Sequence, residues 1–211
     1  MLYDSTWAEA RPPKGPMPAI QTICVYCGSG FGSDPVFVQT AAELGRLMAE
    51  QGINLVYGGG NVGLMGTVAR SVLDHGGYVT GIIPDFLKSR EKLLDDVQET
   101  VVVPDMHTRK RLMFERADAF VALPGGIGTF EEFFEAWSWR MLNFHQKPVA
   151  LLDQDGYYQP LLQFLQQSVR HGFMNAAQMD LLTVGDEPAS LLPRLVQVAG
   201  LDARPVDISQ I

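Results

Sequence analysis

The chain has 211 residues, 46% of them apolar, a length and composition that suit one compact globular domain rather than two independent cores. Folding at this size buries roughly 70% of the surface of the unfolded chain, so neither disulfides nor a structural metal is needed for stability. Sixteen Lys and Arg against twenty-four Asp and Glu leave a net charge of −8, which argues against nucleic acid and anionic membranes as partners while leaving room for a small anion bound locally.

The first nineteen residues carry Asp4, Glu9 and the prolines 12, 13, 16 and 18, and hold no apolar run of signal-peptide length. They are expected to form a Pro-rich tail ahead of a domain over residues 20–200, with an extension over 201–211. Cys24 and Cys27 are the two cysteines, which excludes a disulfide framework and a four-cysteine zinc site and fits a reducing, cytoplasmic setting.

From Ile20 onward, short β-rich runs ending in glycine alternate with longer amphipathic stretches, the pattern of βαβ units around a parallel sheet. Residues 20–26 predict a strand and 34–51 a helix introduced by Ser33 or Asp34 and stopped by Gly52. Residues 53–57 predict the next strand, 62–75 a helix, and 78–83 a strand closed by Pro84. A polar connection over 86–96 precedes a strand at 99–103 and a helix at 105–116. Residues 119–123 then read as a strand, 130–144 as a helix, 148–152 as a strand and 157–172 as a helix with its stop. An edge strand at 181–184 and a covering helix at 187–198 complete the domain.

Three glycine loops follow strands, where ligands bind in parallel sheets. They are Cys27-Gly28-Ser29-Gly30, Gly58-Gly59-Gly60-Asn61-Val62-Gly63 and Pro124-Gly125-Gly126-Ile127-Gly128-Thr129. A single such loop is most simply a tight turn. Three together predict a rim of backbone N–H groups that a phosphate can approach closely, favoured by helix dipoles. No Walker sequence is present, and the G-x-G-x-x-G of Gly58, Gly60 and Gly63 lacks an acidic ribose ligand at the end of the next strand, so neither ATP hydrolysis nor dinucleotide binding is supported.

Met106-His107-Thr108-Arg109-Lys110-Arg111 places cations in the first turns of a helix, where the dipole disfavours them. A helix of this length and the returning strand bring Arg109 back to the Pro124 loop, where it can hold an anion bidentately. Thr129 and Glu132 have capping-box spacing, which gives Glu132 a purely structural role to weigh against a chemical one. Phe130, Phe133, Phe134, Trp137 and Met141 form a helical stripe expected in the core. A carboxylate beside a phosphate loop and opposite an arginine suits a reaction that develops positive charge on a sugar and consumes water. Histidines 75, 107, 145 and 171 lack metal-ligand spacing, and no metal is expected.

The segments MHTRK and PGGIGTFEE, with CVYCGSGFG and YGGGNVGLMG before them, resemble the LOG (lonely guy) family of cytokinin-activating phosphoribohydrolases over most of residues 20–172. The resemblance implies a Rossmann-like three-layer α/β sandwich with a doubly wound, mainly parallel sheet and assembly as a homodimer or larger oligomer, with sites near the subunit interface. It also implies hydrolysis of a purine nucleoside 5′-monophosphate, AMP or an N6-modified adenylate, to free base and ribose 5-phosphate without a cofactor. Arg109 and Glu132 match the catalytic pair. Gly126, Ile127, Gly128 and Thr129 would hold the phosphate, and Glu91, Lys110 and Ser138 match other substrate-contacting positions, with Ser138 standing where related sequences often carry threonine; the glycine loops and the carboxylate beside them add Gly28, Ser29, Gly59, Gly60, Gly125 and Glu131 as expected substrate contacts.

Two rivals are defined by chemistry. A decarboxylase would need pyridoxal phosphate on a lysine, and the chain has lysines at 14, 88, 92, 110 and 147. Similar Rossmann-like proteins instead carry phosphorylated ligands, molybdenum cofactor among them, without turning them over.

Overall fold

The computed structural model describes residues 20–88, 93–94 and 96–202. The expected N-terminal tail, Glu91 and the residues beyond 202 lie outside the described residues. Strands β1 (Thr22–Tyr26), β2 (Asn54–Tyr57), β3 (Val79–Pro84), β4 (Glu99–Val103), β5 (Ala119–Ala122), β6 (Val149–Leu152) and β7 (Leu182–Gly185) form one parallel sheet in the order β4-β3-β2-β1-β5-β6-β7. Helices α1 (Pro35–Glu50), α2 (Gly63–Asp74) and α7 (Pro188–Asp202) cover one face; α3 (Met106–Arg116), α4 (Ile127–Met141) and α5 (Gln159–Arg170) cover the other. A short helix, α6 (Ala176–Asp180), precedes the edge strand β7.

The two-sided cover follows from strand periodicity. In β1, Ile23 and Val25 point to one face and meet Leu44, Val68 and Leu191; Cys24 and Tyr26 point to the other and join Met113, Phe133 and Trp137. Central strands buried on both faces read as unbroken apolar runs, which is why their positions are readable without alternation. Phe133 and Trp137 are core residues, as their helical spacing requires.

Helix starts follow local chemistry. The Asp34 side chain accepts from the N–H of Val36, with Pro35 as the first residue of α1, and Asp105 accepts from Thr108 at the start of α3. One boundary corrects the sequence reading. Helix α4 begins at Ile127 with Gly126 as its cap, three residues before the expected start at Phe130. Thr129 is therefore not a cap: it is buried, and its Oγ1 lies 2.1 Å from where a Cβ on Gly125 would sit. With the helix begun earlier, Glu132 falls in its second turn, past the orphan N–H groups a capping box serves. The unassigned stretch after Gly172 holds α6, closed by a reciprocal capping box between Asn175 and Gln178.

At the far end of α4, His145 is buried with Nε2 2.9 Å from the Ala136 carbonyl, while Nδ1 accepts from the Lys147 N–H at 3.0 Å. Burial pulls its pKa from 6.5 to about 4; the Ala136 bond opposes this and the charges on Lys147 and Arg140 add to it. Protonation would occur at Nδ1 and break the Lys147 bond. The unfolded chain takes up a proton below pH 6.5 that the folded chain refuses, so stability is flat above 6.5 and falls as pH drops towards 4, by on the order of 2–3 kcal/mol. Urea midpoints at pH 7 and 4.5 test this, with His145→Gln expected to show a clearly shallower acid loss than the parent chain.

Candidate active site

The sheet order reverses between β1 and β5, which opens a crevice at their carboxyl ends. Main-chain bonds knit the glycine loops there. The Gly28 N–H donates to the Pro124 carbonyl at 3.1 Å, and Leu64 and Met65, at the start of α2, donate to the carbonyls of Gly30 and Gly28 at 3.2 and 3.3 Å. Glycine is required at Gly63, whose φ is +66° and where a Cβ would lie 2.3 Å from the Ser29 carbonyl carbon.

These bonds make the three glycine loops unlike one another as places for an anion. The first N–H groups of α2 are consumed by loop carbonyls, and Gly59 and Gly60 do not line the central cavity: Gly59 packs against Ile83, and Gly60 bridges Leu93. The start of α4 is different. Gly126 caps it with no side-chain bond, so the N–H groups of its first turn have no intrahelical acceptor. Gly126, Ile127, Gly128 and Thr129 line a cavity of about 370 Å³ together with Cys27, Gly28 and Ser29. A neighbouring hollow of about 340 Å³, walled by Phe37, Leu64 and Tyr157, takes in Gly125. Tyr157 donates to the Gly125 carbonyl and Tyr158 to that of Leu123, so two adjacent tyrosines fix the loop from behind.

Arg109 enters the larger cavity from α3. Its side chain is buried, 6% of the residue being exposed, with Nη2 3.2 Å from the Gly58 carbonyl, Nη1 3.8 Å from Met106 Sδ, and Nε buried with no partner. A Cβ on Gly58 would sit 1.8 Å from Nη2. Gly58 is the functional residue that spacing alone does not single out: it serves by leaving its side-chain volume to the guanidinium. The only hint in the sequence is a glycine triplet longer than a turn needs.

Glu131 and Glu132 face the same cavity from α4, and Met65, Leu87 and Met106 supply its apolar wall. Arg109 and Glu132 both act on Cys27: burial pushes the thiol pKa up, the carboxylate of Glu132 adds to this and Arg109 opposes it. Cys27 is thus a protonated packing residue at neutral pH, and the carboxylate and guanidinium are felt at one point. Lys110, next to Arg109, is not among the residues lining the cavity; it pairs at the cavity's edge with Glu131, which does line it, and with Glu135 at 2.7 Å, which does not. Ser138 is half-buried further along α4 and is not among the residues lining the cavity. Arg109, Glu131, Glu132, Gly28, Ser29 and 126–129 therefore come together; Gly59, Gly60, Lys110 and Ser138 do not join them.

A buried, partly unpartnered guanidinium, a carboxylate and an open helix N-terminus around one cavity can bind a phosphate monoester and act on the carbon skeleton attached to it. Residues 65–195 match the protein family described as "Possible lysine decarboxylase". The chain is 43% identical over 177 residues to cytokinin riboside 5′-monophosphate phosphoribohydrolase LOG3 of Arabidopsis thaliana, covering 84% of this chain and 82% of that protein. LOG7 of the same plant, with the same activity in its name, is 48% identical over 153 residues, covering 72% and 70%. In three dimensions the chain is similar to the molybdenum cofactor binding protein of the phototrophic bacterium Rippkaea orientalis, with a TM-score of 0.64 at 24% identity over 84% of this chain and 96% of that one, a likeness of fold.

Proposed function

The chain belongs to the LOG family of cytokinin riboside 5′-monophosphate phosphoribohydrolases, and from that membership we infer that it hydrolyses the N-glycosidic bond of a purine nucleoside 5′-monophosphate, releasing free base and ribose 5-phosphate. The observation that carries the site assignment is the buried Arg109 guanidinium, with an unpartnered Nε, opening on the cavity that Glu132 lines.

In this reading the 5′-phosphate sits on the first turn of α4, taking hydrogen bonds from the orphan N–H groups of 126–129 and stabilisation from the helix dipole. Glu132 lies five residues after Ile127, about 7.5 Å further along the axis, which puts its carboxylate beside the sugar when the phosphate is at the helix start. As the bond from C1′ to the base nitrogen breaks, positive charge grows on the ribose and Glu132 opposes it across a short gap; Glu132 then takes a proton from the water whose oxygen bonds to C1′, and the base, which leaves with the electron pair of the broken bond, takes up one proton from solvent. Arg109 orients the substrate and favours the ionised form of Glu132 by charge proximity. Met65, Leu87 and Met106 give the departing base an apolar wall.

Gly59, Gly60, Lys110 and Ser138 are supporting positions in this scheme, and Glu91, outside the described residues, remains a proposed substrate contact. The same proposal includes a homodimer or larger oligomer with sites near the interface, supported by Leu142 and Phe144 exposed at 77% and 68% at the end of α4, and a cytoplasmic location. Among the described residues no helix is long and apolar enough to cross a membrane. A decarboxylase reading finds no lysine among the described residues lining the cavity.

Incubating the protein with AMP and with N6-substituted adenylates and separating the products by chromatography tests the reading. Free base and ribose 5-phosphate in equal amounts are expected. Retention of intact nucleotide without release would make the protein a carrier.

A further inference from the structure

Lys110 directly follows the arginine that enters the cavity, yet its ammonium is turned towards α4, where it bonds Glu131 Oε1 and, at 2.7 Å, Glu135 Oε2. The two acceptors are four residues apart and so share one face of α4. Glu132, the next residue after Glu131, points into the cavity. The pair with Glu135 is sheltered, the Lys110 side chain being 12% exposed and that of Glu135 27%, while Glu131 is exposed at 51%. Burial alone would lower the Lys110 pKa, but the bonds to Glu131 and Glu135 outweigh it and leave the net shift upward. Glu135 lies outside the cavity while Glu131 lines it, so the cluster borders the place where substrate is held, with the Lys110 ammonium between the cavity edge and the turn behind it.

The geometry points to Lys110 as a positioning residue: by clamping Glu131 and Glu135 it fixes the second and third turns of α4 against α3 and so holds Glu132 and Arg109 in place around the cavity. Arg109 and Glu132 belong to different helices, each carried on the sheet by its own apolar stripe, and their mutual placement depends on how those helices sit side by side. A shift on the order of 1 Å between reacting groups can cost about 100-fold in rate. Lys110 ties down both the turn that presents Glu132 and the turn after it. This inference rests on the hydrolase reading above and assigns Lys110 a role other than touching the phosphate.

The experiment compares Lys110→Met, Lys110→Arg, Glu135→Gln and the double variant Lys110→Met with Glu135→Gln, each confirmed folded by circular dichroism and thermal melting, in steady-state release of base from AMP. A positioning role predicts that Lys110→Met lowers kcat about 10- to 100-fold with KM within about threefold of the parent chain. It predicts that Glu135→Gln lowers kcat in the same direction, that the double variant is no slower than Lys110→Met alone, and that Lys110→Arg, which can still span both carboxylates, recovers most of the rate. Glu135→Gln is the informative arm, because it halves the clamp while leaving Lys110 in place. A KM raised tenfold or more at unchanged kcat in Lys110→Met would overturn the proposal in favour of a direct phosphate contact. So would a Glu135→Gln enzyme with parental kcat, or losses that multiply in the double variant. Absence of base release by the parent chain from AMP and from N6-substituted adenylates is a separate outcome: it removes the hydrolase reading and the clamp's catalytic role with it.

Discussion

Glu132→Gln should reduce base release from a nucleoside monophosphate by about 100- to 10,000-fold, the usual cost of losing a positioned acid-base group, while the melting temperature moves little. The amide fills nearly the same volume but can neither take a proton from water nor oppose a developing sugar cation. Glu132 lies in the second turn of α4 beyond the capping positions, so the substitution removes no helix-start bond. Nucleotide should still bind, because the phosphate contacts assigned to the first turn of α4 remain; a Kd by calorimetry near the parental value with turnover lost is the expected pair of results. Full turnover by a folded Glu132→Gln protein would remove the residue from the chemistry.

Gly58→Ala should be nearly as severe, though the residue carries no functional group. The added methyl would lie 1.8 Å from Arg109 Nη2 and 3.0 Å from its Cζ, far inside van der Waals contact. The guanidinium is almost wholly buried and bonded to the Gly58 carbonyl, so the methyl would break that bond and push the side chain further into the cavity it lines. Overpacking of this kind costs roughly 1–3 kcal/mol of stability, and displacing the arginine should cost about 100-fold in kcat/KM. The two effects can be separated. Combining Gly58→Ala with Arg109→Lys, which lacks the clashing nitrogen, should restore much of the lost stability and none of the activity. Equal stability losses in the single and double variants would show that the clash is not with Arg109.

How much of this was legible depended on the kind of physics involved. The parallel sheet and its helices followed from apolar runs and glycine stops, since buried strands such as Val149–Leu152 and amphipathic helices such as Pro35–Glu50 carry their signals locally. The start of α4 was misplaced because Gly126-Ile127-Gly128 looks like a turn; the sequence does not reveal that Thr129 fills the space beside Gly125 instead of capping. Arg109 stood out because a cation at a helix start opposes the dipole. Glu132 was singled out by its neighbourhood and kept a structural alternative until the helix boundary removed it. The packing of Gly59 against Ile83, the bridge from Gly60 to Leu93 and the turn of Lys110 towards Glu135 are invisible in the sequence, because each depends on which distant segment is brought alongside.

The loops around the cavity are tied to one another through peptide groups, by bonds such as those from Gly28 to Pro124 and from Met65 to Gly28. Such ties are indifferent to what the residues around the cavity carry as side chains. Leu87 and Met106, in the apolar wall of the cavity, are among these. Recognition of the variable portion of a ligand can therefore be re-tuned by substitution in that wall while the anchoring framework stays intact, which makes positions 87 and 106 the natural starting points for redesigning substrate preference.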